Sequence, residues 1–315
     1  MKTIQYLSPS SIAKYKDNPD EFYMNYLSDK APPRFPQTGP MSVGSAFDAY
    51  VKSYLHQQLF GNTDPRFDFQ TLFEAQVEPQ VRDTALPAGK KCFDAYKDTG
   101  ALSDLMIMLS KASNTPRFEF DLRGVVDGHR EGVQLQFGTV VLLGKPDVHF
   151  VSKEGVDVIL DWKVNGFYST ASPTKGYIKL RPDGSRHKEA FVQWDRDIEV
   201  NVAHTLDQTR EEWAAQLSIY GWLLGMKVGS RFVVAIDQLA CRKDRDIRIA
   251  EHRAYVRDVF QHELFRKAQH LWDLCHSGYF FRELTLEESQ KKCELLDNMA
   301  ASMWSDDQAD FAKML

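Results

Sequence analysis

Apolar residues recur at helical spacing from 41 to about 59, where Val43, Phe47, Tyr50, Val51 and Leu55 fall on one side. Upstream, Leu7-Ser8-Pro9-Ser10-Ser11 reads as a serine-capped helix start, and Asn18-Pro19 ends that helix. A second short helical stretch at 21–27 is rich in aromatics, and Phe22, Tyr23 and Tyr26 are expected in the core. Residues 28–40 are proline-rich and lack periodicity, so they read as loop. Helices are expected around 68–79 and 89–111. Alternation then takes over at 118–122 and 133–137, followed by strand-like runs at 144–151 and 156–163, separated by Lys153-Glu154-Gly155. A helix at 209–226, a buried strand at 231–239 and a more polar strand around 246–255 follow. Two long helices, at about 256–277 and 284–302, close the sequence.

The order helix, three strands, helix, strand is an α-β-β-β-α-β plan. It predicts an α/β fold with a mixed central sheet and flanking helices, and helical additions at both ends. With no internal repeat or low-complexity linker, a single domain is expected over 1–315. Its core would span about 41–240, its inserted hairpin about 167–198 and its C-terminal helical extension about 256–315.

Composition narrows the class. A chain of 315 residues, 43% hydrophobic, can bury a substantial core. Its formal charge of -5 excludes a generally basic nucleic-acid coat but is compatible with a local basic groove. No apolar run reaches membrane-spanning length and no signal-peptide core follows Met1, so a soluble, cytoplasmic protein without membrane partners is expected. Cys92, Cys241, Cys275 and Cys293 form no closely spaced pair, which predicts reduced thiols and no iron-sulfur cluster.

Candidate chemistry sits on the central hairpin. If 144–151 and 156–163 pair antiparallel, Asp147 and Asp161 lie at the same end of it, although fourteen positions separate them in sequence. Lys163, two residues after Asp161, shares its face. Two carboxylates and the backbone carbonyl of Trp162 are hard oxygen donors suited to Mg²⁺ or Mn²⁺, and Lys163 can orient a water or meet a phosphate. Asp48, one turn after Gly44 on the 41–59 helix, could face the same point, with Gly44 permitting close backbone approach. Gln216 and Tyr220, four apart on the 209–226 helix, share a face that can hydrogen-bond a phosphate or base edge. His149 alternates onto the Asp147 face, where it is either packed or an outer support for the carboxylates.

Taken in order, Leu7 to Ser11, Gly44 to Asp48, Gly144 to Asp147, Asp161-Trp162-Lys163 and Gln216 to Tyr220 resemble the PD-(D/E)xK nuclease superfamily. The RecB-like branch that includes phage exonucleases is the nearest in pattern. The resemblance spans roughly 7–240 and rests on order and spacing. It implies a restriction-endonuclease-like core and a Mg²⁺- or Mn²⁺-dependent deoxyribonuclease that leaves 5′-phosphate and 3′-hydroxyl ends. An exonuclease of phage or mobile-element recombination is favoured. A structure-specific or restriction-type endonuclease, and a non-catalytic DNA-binding or assembly factor, are the alternatives. The resemblance also implies Asp147, Asp161 and Lys163 as catalytic residues, with Asp48, Asp147, Asp161 and the Trp162 carbonyl holding metal. Asp48 stands where many relatives carry histidine.

DNA is the expected partner. An annealing-type recombination protein and further copies of the chain are possible associates. Besides Gln216 and Tyr220, the basic residues Lys175, Lys179, Arg181, Arg186 and Lys188 flank a Pro182-Asp183-Gly184 turn and suit backbone contact. An edge ribbon whose charges keep it soluble would look the same.

Overall fold

Helix α1 (Pro9–Asp17) starts where the serines place it. Ser8 caps it and exchanges hydrogen bonds with Ser11 in a capping box, with proline in the first turn. The computed structural model describes residues 2–30, 36–118, 138–165, 205–242 and 245–277, with short stretches at 125–126, 129–130, 133–135, 178, 180–185 and within 287–294. The expected strand beyond Phe118, most of the inserted hairpin and most of the helix expected at 284–302 lie outside the described residues; Glu287, Gln290, Lys291 and Glu294, which are described, are helical.

After α2 (Pro19–Phe22) the chain makes a π-helical turn over Tyr23–Leu27, and Phe22 and Tyr23 are buried as expected. Then come α3 (Gly39–Phe60), α4 (Phe69–Gln76), α5 (Arg82–Asp98) and α6 (Ala101–Ser110). The expected helix at 89–111 is therefore two helices. The break is at Gly100, whose φ of 80° is a left-handed conformation that glycine adopts without strain. Helix α5 begins earlier than expected, at Arg82, and carries Pro87 inside it, beyond the first turn, at the loss of one backbone hydrogen bond.

The short strand β1 (Arg117–Phe118) precedes two small hairpins, β2 (Val125–Val126) with β3 (His129–Arg130), and β4 (Val133–Leu135) with β5 (Gly138–Val140). The main sheet is completed by β6 (Val148–Val151), β7 (Asp157–Asn165), β8 (Val233–Arg242) and β9 (Arg245–Ala254), in the order β1-β6-β7-β8-β9. Only β7 and β8 run parallel; the other neighbours are antiparallel. A parallel pair needs a crossover, supplied here by α7 (Leu206–Thr209) and α8 (Glu211–Leu223). Helix α9 (Asp258–His276) follows β9. The fold is thus α/β, with a five-stranded mixed sheet and flanking helices. Among the described residues no helix is long and apolar enough to cross a membrane.

Strand periodicity divides β7 between two cores. Val158, Leu160 and Trp162 pack with Phe47, Val51 and Leu55 of α3 and with residues of α5 and α6. Ile159 packs with Trp213, Leu217 and Tyr220 of α8. A third cluster joins Leu7, Phe22 and Leu27 to Trp222 of α8 and Phe265 of α9. Each fully buried aromatic or leucine side chain contributes about 1.5–3 kcal/mol. Asp161 and Lys163 therefore share the face of β7 that α8 covers.

The expectation that Gly44 permits close backbone approach is corrected. A Cβ there would meet only Val164 Cβ, at an ordinary 3.8 Å. The tight crossing on α3 comes from Gly89 of α5, where a Cβ would lie 2.5 Å from Ala46 Cβ and 2.8 Å from the Phe47 nitrogen. Backbone at that distance cannot rotate aside. Gly89→Ala is accordingly expected to cost about 1–3 kcal/mol in urea denaturation, whereas Gly44→Ala should change stability by less than about 1 kcal/mol. Equal effects would contradict this reading of the crossing.

Candidate active site

The β6–β7 register builds the site. Val148 lies opposite Leu160, and a turn held by Ser152 N–H donating to the Val156 carbonyl (2.7 Å) closes the hairpin. Asp147 and Asp161, one step beyond that pair, therefore meet at the open end. Trp162 N–H donates to Asp147 Oδ2 at 3.1 Å, which fixes the carboxylate against the β7 edge. The N–H and carbonyl of a strand residue point to the same edge, so the Trp162 carbonyl faces this side as well.

The Trp162 side chain points the other way. Its indole N–H donates to Tyr96 Oη (3.4 Å), and Tyr96 donates to Asp237 Oδ2 (2.5 Å). Arg253 Nη1 donates to Asp237 Oδ1 at 2.6 Å. Asp237 is opposite Trp162 in the parallel register, and both Asp237 and Arg253 are fully sequestered from solvent. Burial, followed by the Asp237 charge, pushes the Tyr96 phenol well above its ordinary range and keeps it a donor.

Two lysines meet the acids. Lys52 of α3, with a side chain only 3% exposed, places Nζ 2.6 Å from Asp48 Oδ2 and 3.0 Å from Asp147 Oδ1. Lys163 Nζ is in ion contact with Asp161 Oδ2 and donates to Gln216 Oε1 at 2.7 Å. Gln216 Nε2 in turn donates to Tyr220 Oη at 2.8 Å. Helix α8 comes this close because residue 144 is glycine: a Cβ there would lie 2.6 Å from the Tyr220 ring.

The acids differ in charge state. Burial, only partly offset by Lys163 and reinforced by the Asp147 charge, raises Asp161 to about 7. Asp147 is desolvated too, but Lys52, the hydrogen bond with Asp161 and the Trp162 N–H outweigh that cost and hold it below the usual carboxylate range. The pair thus shares a proton near neutrality. Burial also raises the Tyr220 phenol, which stays neutral.

Beside the carboxylates lies a cavity of about 450 Å³ lined by Ser8 and Ser10 at the start of α1, Gly144, Lys145, Gln216 and Tyr220. Its first wall is held by a short parallel bridge: Leu7 N–H donates to the Val141 carbonyl and Leu143 N–H to the Leu7 carbonyl, each at 2.8 Å.

The structure thus brings Asp48, Asp147, Asp161, Trp162, Lys163, Gln216 and Tyr220 into one connected group. Their oxygen donors are of the hard type that suits Mg²⁺, and Asp161 Oδ2 is buried against Lys163 without a well-directed hydrogen bond. His149 Nε2 bonds Asp157 Oδ1 at 2.9 Å along the hairpin. Lys175, Lys179, Arg186 and Lys188 lie outside the described residues. Arg181 is exposed at the edge of the expected turn, its N–H donating to the Ser185 carbonyl at 2.7 Å. Cys92, Cys241 and Cys275 are buried, and the sulfurs of the first two lie 3.9 Å apart.

Sequence reasoning missed Lys52, Lys145 and the Tyr96–Asp237–Arg253 group. Lys52 left one readable trace, a lysine four residues after an aspartate on a helix and next to the apolar Val51.

No family profile and no curated protein matches the chain. A solved structure titled "Crystal structure of SSO0001" aligns over 74% of this chain and 74% of its own, at 11% identity and a TM-score of 0.26. A likeness of that degree says nothing about the site.

The two acids respond to pH with opposite signs. Asp161 titrates near 7 when folded, above its ordinary 3.8, so its stability contribution is complete below about pH 4 and is lost as pH rises through 7. The Asp147 value is lowered, so its contribution is present above about pH 4 and is lost only in stronger acid. Between pH 5 and 8 only the first effect operates. The unfolding free energy of wild type relative to Asp161→Asn should therefore fall by about 2.5 kcal/mol from pH 5 to 8 in urea titrations, a difference in which the opposite effect of buried His252, held at about 4, cancels. Parallel pH profiles would refute the assignment.

Proposed function

We propose that this chain is a metal-dependent deoxyribonuclease of the PD-(D/E)xK type, built on a restriction-endonuclease-like core and acting as an exonuclease in phage or mobile-element recombination. One observation carries the proposal. Residues picked from separate segments of sequence, joined by Lys52, fall into two linked contact chains, Asp48–Lys52–Asp147–Trp162 and Asp161–Lys163–Gln216–Tyr220. An ordinary strand end has no reason to gather three carboxylates and two ammonium groups.

Asp147, Asp161 and the Trp162 carbonyl would hold Mg²⁺ or Mn²⁺, with Asp48 behind Lys52. When bound, the ion would lower the pKa of a water and neutralise charge developing on the phosphate. Asp147 is pre-set for this by the Trp162 N–H, so its oxygens need no reorganisation. Lys163 is the residue that would orient the attacking water or meet the scissile phosphate. Gln216 steers its ammonium from α8, and Tyr220 holds the Gln216 amide in the orientation that leaves Oε1 toward Lys163. Ser8, Ser10 and Lys145 give the adjoining cavity hydroxyl donors and a positive charge that could meet a strand's phosphates, with the Glu212 carboxylate also in its lining. The products would be 5′-phosphate and 3′-hydroxyl ends.

An endonuclease on the same core is the second reading, since nothing in the described cavity requires a free DNA end. Binding without turnover is disfavoured by the Asp147–Asp161–Lys163 set, which a pure binder has no need to assemble at such electrostatic cost.

End-labelled linear and closed circular DNA incubated with Mg²⁺ separates these readings. Loss of linear DNA alone supports the exonuclease, cutting of circles the endonuclease, and binding without cleavage of either would sink the enzymatic proposal. Lys163→Ala should lower the cleavage rate by about 10²-fold or more while leaving DNA binding largely intact.

A further inference from the structure

Lys52 has no part in the expected chemistry, yet it is the most buried charge at the site. Its side chain is 3% exposed, and its Nζ lies between carboxylate oxygens from two elements, Asp48 Oδ2 of α3 at 2.6 Å and Asp147 Oδ1 at the start of β6 at 3.0 Å. An ammonium is expensive to desolvate, so a lysine is buried this deeply only where anions surround it. Its aliphatic stem follows the apolar side of α3, while Asp48 one turn earlier receives the head.

The position is what matters. Two carboxylate oxygens facing one point from opposite sides would bridge a divalent cation in a two-ion phosphodiesterase site, and here that point is filled by a side chain. Asp161, beyond Asp147, is met by a different cation, Lys163. The cluster thus has two cation positions, one between Asp48 and Asp147 and one against Asp161. Among the described residues no three acidic, imidazole or thiolate groups are placed to hold a metal ion together.

We propose that Lys52 is a permanent resident cation that takes the place of a second metal ion, so that the site admits a single divalent ion, on the Asp147–Asp161 side. This rests on the metal-dependent reading above, and it goes further by assigning the ion count and the residue that sets it. Asp48 then serves by holding Lys52 against Asp147, which makes it a positioning residue for the amine. It also accounts for aspartate in place of histidine at this position: an imidazole could accept from an ammonium only through one nitrogen and would supply no opposing charge.

The test counts ions on the intact protein without using turnover. Mn²⁺ titration followed by electron paramagnetic resonance reports free ion, and hence the number bound per chain, in wild type, Lys52→Met and Lys52→Arg. One ion in wild type and in Lys52→Arg, and two in Lys52→Met, is the expected result. Two ions in wild type would overturn the proposal outright, with no variant needed. An unchanged count in Lys52→Met, with thermal melting showing it folded, would also overturn it. Should wild type bind none and Lys52→Met bind one, Lys52 still occupies a cation position and it is the metal-dependent reading of the native protein that falls. If cleavage is observed but the count does not respond to Lys52, the nuclease stands and this inference fails.

Discussion

Two carboxylates side by side at the covered end of a sheet repel each other and have lost much of their water, and the architecture around them is organised by that cost. The β6–β7 register leaves no freedom over where they sit, because a slip of one residue would turn Asp161 into the α3 core and Trp162 out of it. What the fold can vary is the surrounding charge. It supplies one ammonium from α3, one from β7 itself and a backbone donor from Trp162, and it leaves Asp161 to carry the remaining imbalance as a proton. Holding this arrangement together works against stability. Such an expense is typical of sites kept for chemistry or binding, where perturbed titration gathers around a cleft.

The opposite face of β7 solves a different problem. Trp162 stands between Asp161 and Lys163 in sequence, so any shift of its backbone would move both. Its indole is tied to Tyr96, and through Tyr96 to the Asp237–Arg253 pair on the two neighbouring strands. A buried ion pair contributes little net stability against an apolar replacement of the same shape. Its directional bonds do fix how β7, β8, β9 and α5 meet, and that restricts the positions open to the carboxylates.

Much of this was legible in sequence, for identifiable reasons. The hairpin, α3, α8 and the strand at 233–242 all appear near the expected positions, the hairpin because of its alternation and short turn and the other three because of their long apolar stretches. Asp147, Asp161 and Lys163 could be brought together because antiparallel pairing through a short turn is local geometry. The division of 89–111 into two helices was hidden because Gly100 was read as part of a helical pattern. Lys52 was hidden because a lysine on a helix usually faces water, and nothing local says that a carboxylate 95 residues later will cover it. The Tyr96–Asp237–Arg253 group is likewise assembled from three distant segments, and no single segment has the spacing of a motif.

Close helix approach is the means by which these distant residues reach the site. Gly89 lets α5 press against α3 at Ala46 and Phe47, one residue from Asp48 and within two turns of Lys52. Gly144 lets α8 press the Tyr220 ring against the loop that leads into Asp147, which brings Gln216 within hydrogen-bonding distance of Lys163. Each glycine thus adjusts one lysine: Gly89 sets the depth of the helix that carries Lys52, and Gly144 sets the depth of the helix that steers Lys163. A cation at 3 Å interacts far more strongly than one at 5 Å in a poorly solvated site, and rigid backbone contact holds that distance better than a flexible side chain can. The electrostatics at the hairpin end are therefore set by backbone packing on both sides of the sheet. For this reason the G-x-x-D segment is better understood as a helix-docking surface joined to a carboxylate than as a pair of separate motif residues.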